Sequence, residues 1–203
     1  MSWSFYNTAG FLKTNTGREL VSTLPSSPVN GQEVFYQSSA SGTGGGATNS
    51  MADVGAIWHL RYRSAAAGSY KWEAVGASPI IYSKAGTVTD TITSATYANL
   101  PTTGTAASTV AALAGDYAVT LSAKMDSNSG TANLVNLAVK IGAASTVDDN
   151  CGIVHRNDAF ASQSRTTKLT FAALDTLLLQ AKDNNAAGRI FEIGFSITPI
   201  RVG

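Results

Sequence analysis

The sequence predicts an all-β protein: a small N-terminal β-hairpin module followed by an antiparallel β-sandwich or barrel. Three observations predict it. Apolar and polar residues alternate at period two in several stretches, as in half-buried strands. Clusters of Asp, Asn, Ser and Gly separate those stretches at short intervals. Only 13% of the residues are charged while 44% are hydrophobic, about half the charged share of an average soluble domain. Ala, Thr, Ser, Gly and Asn fill the gap, which suits short strands and a surface partly hidden in an assembly.

The 203 residues and formal net charge of +1 allow one large β domain or two small ones. The 14 Lys and Arg are scattered, so neither nucleic acid nor anionic membrane has an electrostatic footprint. No apolar run reaches the length of a membrane span. The start, Met1 to Tyr6, lacks the basic and apolar regions of a signal peptide, so synthesis in a cytoplasm is expected. Cys151 is the single cysteine and can form no internal disulfide.

The chain divides near Ser78-Pro79, giving segments 1–78 and 79–203, because all three Trp precede that point. In the first segment Asn30-Gly31 suits a tight turn before the strand Gln32 to Gln37. The low-complexity stretch Ser38 to Ser50 reads as a flexible loop. It lacks the Lys and Ser/Thr of a phosphate-cradling loop. In 57–63, Trp58, Leu60 and Tyr62 share one face and His59, Arg61 and Arg63 the other. After the linker Ser64 to Ser69, Tyr70 and Trp72 oppose Lys71 and Glu73. This is a hairpin with an aromatic face, and Trp58, Leu60, Tyr62, Tyr70 and Trp72 are its candidate core. Stacking of those aromatics on sugar is the competing use.

In the second segment the inward sets are Tyr117, Val119, Leu121 and Ala123; Val135, Leu137, Val139 and Ile141; Leu169, Phe171 and Ala173; and Phe191, Ile193, Phe195 and Ile197. Turn clusters fall at Asp126 to Gly130, Asp148 to Asn150 and Asp183 to Asn185. Phe171, Leu174, Leu178 and Ala181 also fit a helical stripe; the β neighbours favour two strands joined near Asp175. Leu134, Leu178 and Ile190 fall opposite the inward sets. They are the candidate contacts of a homotrimer, in which one kind of heterologous interface closes into a ring.

The order "LPSSPVNGQEVFYQ", "WHLRYR", "YKWEAVGASP" resembles an N-terminal module of tailed-phage fibre, minor tail and head-decoration proteins. From "TITSATYANLPTTGTAASTV" to "RIFEIGFSITPIRV" the chain resembles their C-terminal jelly roll, related in shape to trimeric tumour-necrosis-factor-like heads. The stretch Ser38 to Ser50 departs from that pattern by its length. The resemblance implies attachment to other virion proteins through 1–78, a trimeric outward domain, a place on the virion surface, and no catalytic residues. A receptor- or glycan-binding tail tip, with host-surface glycan as partner, is the alternative.

No cofactor, metal or enzymatic activity is expected. Cys151 with His155 and Asp148 or Asp149 matches no cysteine-nucleophile signature. His59, His155, Cys151 and the acidic turn do not make a zinc spacing. The 13 acids show no glycosidase pair.

Overall fold

The computed structural model describes residues 19–37, 47–48, 57–77, 79–84, 90–100, 108–126, 134–142, 147–156, 159–184 and 188–203. Among them there is no helix, and the strands form two sheets packed as a β-sandwich. The larger sheet holds β1 (Glu19–Val21), β2 (Glu33–Tyr36), β3 (Ala47–Thr48), β4 (Trp58–Tyr62), β5 (Trp72–Ala77), β6 (Ile80–Lys84), β7 (Asp90–Ile92), β10 (Gly115–Asp126), β13 (Ala161–Phe171) and β15 (Gly188–Val202). The smaller holds β8 (Ala98–Asn99), β9 (Ser108–Val110), β11 (Val135–Ile141), β12 (Val147–His155) and β14 (Thr176–Asp183). Apart from the parallel pair β1–β2, the pairings are antiparallel.

The centre of the large sheet is β15. One edge pairs with β10 along nearly its whole length. The other is covered in turn by β7, β6 and β5. The boundary after residue 78 thus falls between two strands that both pair with β15. Rings continue the link across it: Tyr36, Trp58, Tyr117 and Phe171 follow one another at centroid distances of 6.1, 6.0 and 5.2 Å. Trp58 and Tyr117 are both fully buried in the core that also holds Leu137, Val139, Leu177 and Leu179 of the facing sheet.

The expected turn at Asn30-Gly31 forms, with Gly31 at φ 84° and its N–H donating to the Tyr62 carbonyl. The hairpin β4–β5 also forms. Of the low-complexity stretch only the backbone of β3 is described, and it is a short strand paired with β6 rather than loop. The ambiguous stretch resolves as two strands. β13 ends at Phe171, β14 starts at Thr176, and the turn between them crosses from one sheet to the other. Asp175 closes it, its Oδ2 accepting from Ala172 N–H at 2.8 Å. Ala173 is therefore an exposed turn residue, not the third member of an inward set.

Leu174 in that turn takes φ 65° with 61% of its surface exposed. The left-handed region crowds a Cβ against the following carbonyl, and asparagine tolerates it better than leucine. Leu174→Asn is expected to raise stability by roughly 0.5–1 kcal/mol, read as a higher denaturant midpoint at unchanged slope.

Two further expectations are corrected. Lys124 pairs with Glu192 but Met125 pairs with Ile190, so Phe191 is the extra residue of a β-bulge. A bulge reverses which side chains face inward. Phe191 consequently leaves the inward set and packs edge-on against Phe160 at 4.4 Å. Ile190 turns inward and is fully buried within the protomer, so it is not a surface contact for a neighbouring copy. Of the expected turn clusters, residues 127–130 and 185 lie outside the described residues, and Asn184 does stand in a turn. Asp126 and Asp183 end strands and are fully buried. Asp148 to Asn150 lie within β12, where the pairing with β11 jumps from Leu137↔Ile153 to Val139↔Asp148.

The outer edge strand β13 places Arg165 in register with inward-facing Leu121. Arg165 is exposed, and its Nη1 donates to the Gly152 carbonyl at 3.0 Å. A charge at an inward position discourages a foreign strand from adding to the edge.

Candidate functional site

The hairpin aromatics sit mainly inside. Trp58, Leu60 and Trp72 are buried; Tyr62 and Tyr70 are half-buried, and Tyr62 packs on Trp72 at 5.4 Å. Little of this face is open to a sugar ring. Among the trimer candidates, Leu134 and Leu178 are half-buried. Leu178 lies on the outer side of the small sheet, in register with Lys140 and Ser108.

The opposite face of the hairpin carries what the sequence reading missed. Pairing places Glu33 beside Arg61, Arg61 beside Glu73, Glu73 beside Arg201, Arg201 beside Asp116 and Asp116 beside Thr170. Charges of alternating sign thus run in one row across β2, β4, β5, β15 and β10. Glu33 accepts from Arg61 at 2.6 and 2.9 Å and from His59 Nε2 at 2.9 Å. Glu73 lies 3.3 Å from Arg63 and 3.4 Å from Arg201. At the far end Asp116 accepts from Lys168 Nζ at 2.8 Å and from Thr170 Oγ1 at 2.6 Å. Such cross-strand pairs contribute roughly 0.2–1 kcal/mol each at a surface, enough in sum to fix register but not to drive folding.

The hydrogen bonds from Lys168 and Thr170 hold the Asp116 carboxyl below its ordinary value of 3.8; burial opposes them, and the Lys168 and Arg201 charges add smaller lowering effects. A carboxyl whose folded value is depressed adds stability that is present above its unfolded value and lost as pH falls through the folded one. Asp116→Asn is therefore expected to weaken the protein at neutral pH and to flatten its loss of stability below about pH 4. Urea titrations of both proteins across acid pH check this. Deeper in, Tyr117 donates its hydroxyl to the Leu113 carbonyl at 2.7 Å, and burial pushes its phenol far above the usual range.

Of the remaining polar candidates, the two histidines lie apart, on different sheets. His155 is buried; its Nε2–H donates to the Ala159 carbonyl at 3.0 Å, and its Nδ1 accepts from Gln163 Nε2 at 3.1 Å. Both ring nitrogens are thus committed to structure. The side chains of Cys151, Asp148 and Asp149 lie outside the described residues. His59 belongs to the Glu33 group on the larger sheet, whereas His155 stands on β12 of the smaller one. Among the described residues no three His, Cys, Asp or Glu side chains gather as metal ligands, and no helix is long and apolar enough to cross a membrane.

No family model and no curated protein matches the chain. Among solved structures it is similar to one described as PRD1 vertex protein P5, at 16% identity and a TM-score of 0.39, over 61% of this chain and 96% of that one.

Proposed function

We propose that this chain is a structural protein of a phage particle, held there through residues 1–78 and presenting the 79–203 sandwich outward as a homotrimer. The observation that carries the reading is the pair of stretches resembling fibre, minor tail and decoration proteins, Leu24 to Pro79 and Thr87 to Val202. The all-β sandwich and the low charge content agree with it. In this reading the outer strands β1 and β2 and the Glu33–Arg61 row face the particle. Leu178 on the small sheet faces a neighbouring copy.

Electron microscopy of source particles labelled with an antibody to the chain tests the placement. Labelling of capsid or tail supports it; unlabelled particles overturn it. Assembly is tested by light scattering on the whole chain at micromolar concentration. The expected mass is that of three copies, and Leu178→Asp is expected to shift it toward one copy without lowering the protomer's free energy of unfolding by more than about 1 kcal/mol, as for a surface change. A wild-type monomer would refute the trimer. Ile190→Asp is not a usable probe, because it places a carboxylate in the protomer core.

A further inference from the structure

On the outer face of the large sheet, where β13, β10 and β15 run side by side, Lys124 stands between Ser162 and Glu192 in register. A shallow cleft of about 120 Å³ opens there, lined by Ser122, Ala123, Lys124, Ser162, Gln163 and Glu192. Glu192 and Ser162 are exposed and Lys124 is half-buried. Lys124 and Glu192 are neighbours of opposite charge, yet they make no ion pair with each other or with any other described residue. In the next row Ser122 faces Gly194, where a Cβ would stand 2.3 Å from the serine Oγ. The glycine leaves that hydroxyl room.

Beside the cleft stands Phe160, 47% exposed, with Lys124 Nζ 5.8 Å from its ring centre. The bulge in β15 aims Phe191 at the same spot, and the two rings meet at 83°. The Arg189 guanidinium lies 5.1 and 5.8 Å from the two ring centres and is anchored by buried Asp126. Arg189 thus braces both rings, although about half of Phe160 is exposed.

We propose that this cleft binds a carbohydrate, one pyranose ring of a surface polysaccharide. The chemistry selects that class. An ammonium donor and a carboxylate acceptor across a strand spacing of about 5 Å suit the hydroxyls of a sugar, which both accept and donate. Serine hydroxyls add further partners, and an exposed aromatic ring offers an apolar wall for the sugar's C–H face. The charges balance, Lys124 against Glu192 and Arg189 against Asp126, which disfavours a phosphate. The cleft lies on a sheet face and not at an edge, which disfavours an added peptide strand. The site deepens the glycan-binding alternative and is separate from the buried hairpin aromatics.

Saturation-transfer NMR of the intact chain tests it, with a panel of methyl hexopyranosides and oligosaccharides released from bacterial surface polysaccharide. At least one probe is expected to receive saturation on its ring protons. Its affinity is expected to fall at least roughly tenfold in Glu192→Gln and in Lys124→Met, the loss of one charged hydrogen bond. Glu73→Gln, on the same sheet outside the cleft, is expected to bind like wild type. A panel without transfer, or binding that survives in the Lys124→Met/Glu192→Gln double variant, overturns the site. Particle labelling is a separate readout, so a failed sugar site leaves the structural reading standing.

Discussion

Trp58→Ala is expected to lower the free energy of unfolding by about 3–5 kcal/mol, the range for truncating a buried tryptophan. That is a large part of the roughly 5–15 kcal/mol that holds a domain together. Trp58 is fully buried, with Tyr36 on one side and Tyr117 on the other. The cavity would open at the junction between the hairpin and β10, so both segments should feel it. Urea unfolding followed by far-ultraviolet circular dichroism, and by fluorescence of the two remaining tryptophans, should show one transition displaced to lower denaturant. Two separated transitions would mean that 1–78 and 79–203 unfold independently, contrary to this expectation.

Gly115→Ala is expected to cost about 2–3 kcal/mol by overpacking. A Cβ there would stand 2.3 Å from the Arg201 carbonyl oxygen and 2.9 Å from the Val202 Cα. Both obstacles are backbone, so no rotamer change relieves them; β10 and β15 must part at the end where β15 also holds β5. Gly76 provides the control. A Cβ there meets only the His59 Cβ, at 3.8 Å, so Gly76→Ala should be neutral or slightly stabilising through its effect on the unfolded chain. Thermal unfolding of the two variants side by side separates the mechanisms. Equal midpoints would refute the close-approach argument.

Period-two alternation located β10, β11 and the hairpin because each is continuous pleat over most of its length. It failed where the pleat is interrupted. Nothing local marks the bulge at Phe191; its cause is the pairing with β10, and after one extra residue the inward and outward sets exchange. The same failure misplaced Ile190. Asp126 and Asp183 misled in another way. Acidic residues near Asn and Ser resemble a turn, whereas here each ends a strand and is buried beside Arg189 and Gly188 respectively. The alternating charge row was invisible for a topological reason. Its members come from strands scattered between Glu33 and Arg201, and only register brings them together. The sugar cleft shares that origin, since Lys124, Ser162 and Glu192 are neighbours through β10 alone.

The position of β15 has a consequence for how the protein comes into being. This strand is synthesised after every partner it joins, β5, β6, β7 and β10. Until it leaves the ribosome, β10 lacks a neighbour on one side and the short strands have no template to line up on. The large sheet therefore closes late, by pairings distant in sequence, a topology that folds slowly and leaves apolar strand surface uncovered meanwhile. Nascent chains stalled before residue 188 should be readily captured by chaperones and cut by protease, and release of the chain with β15 outside the ribosome should abolish both.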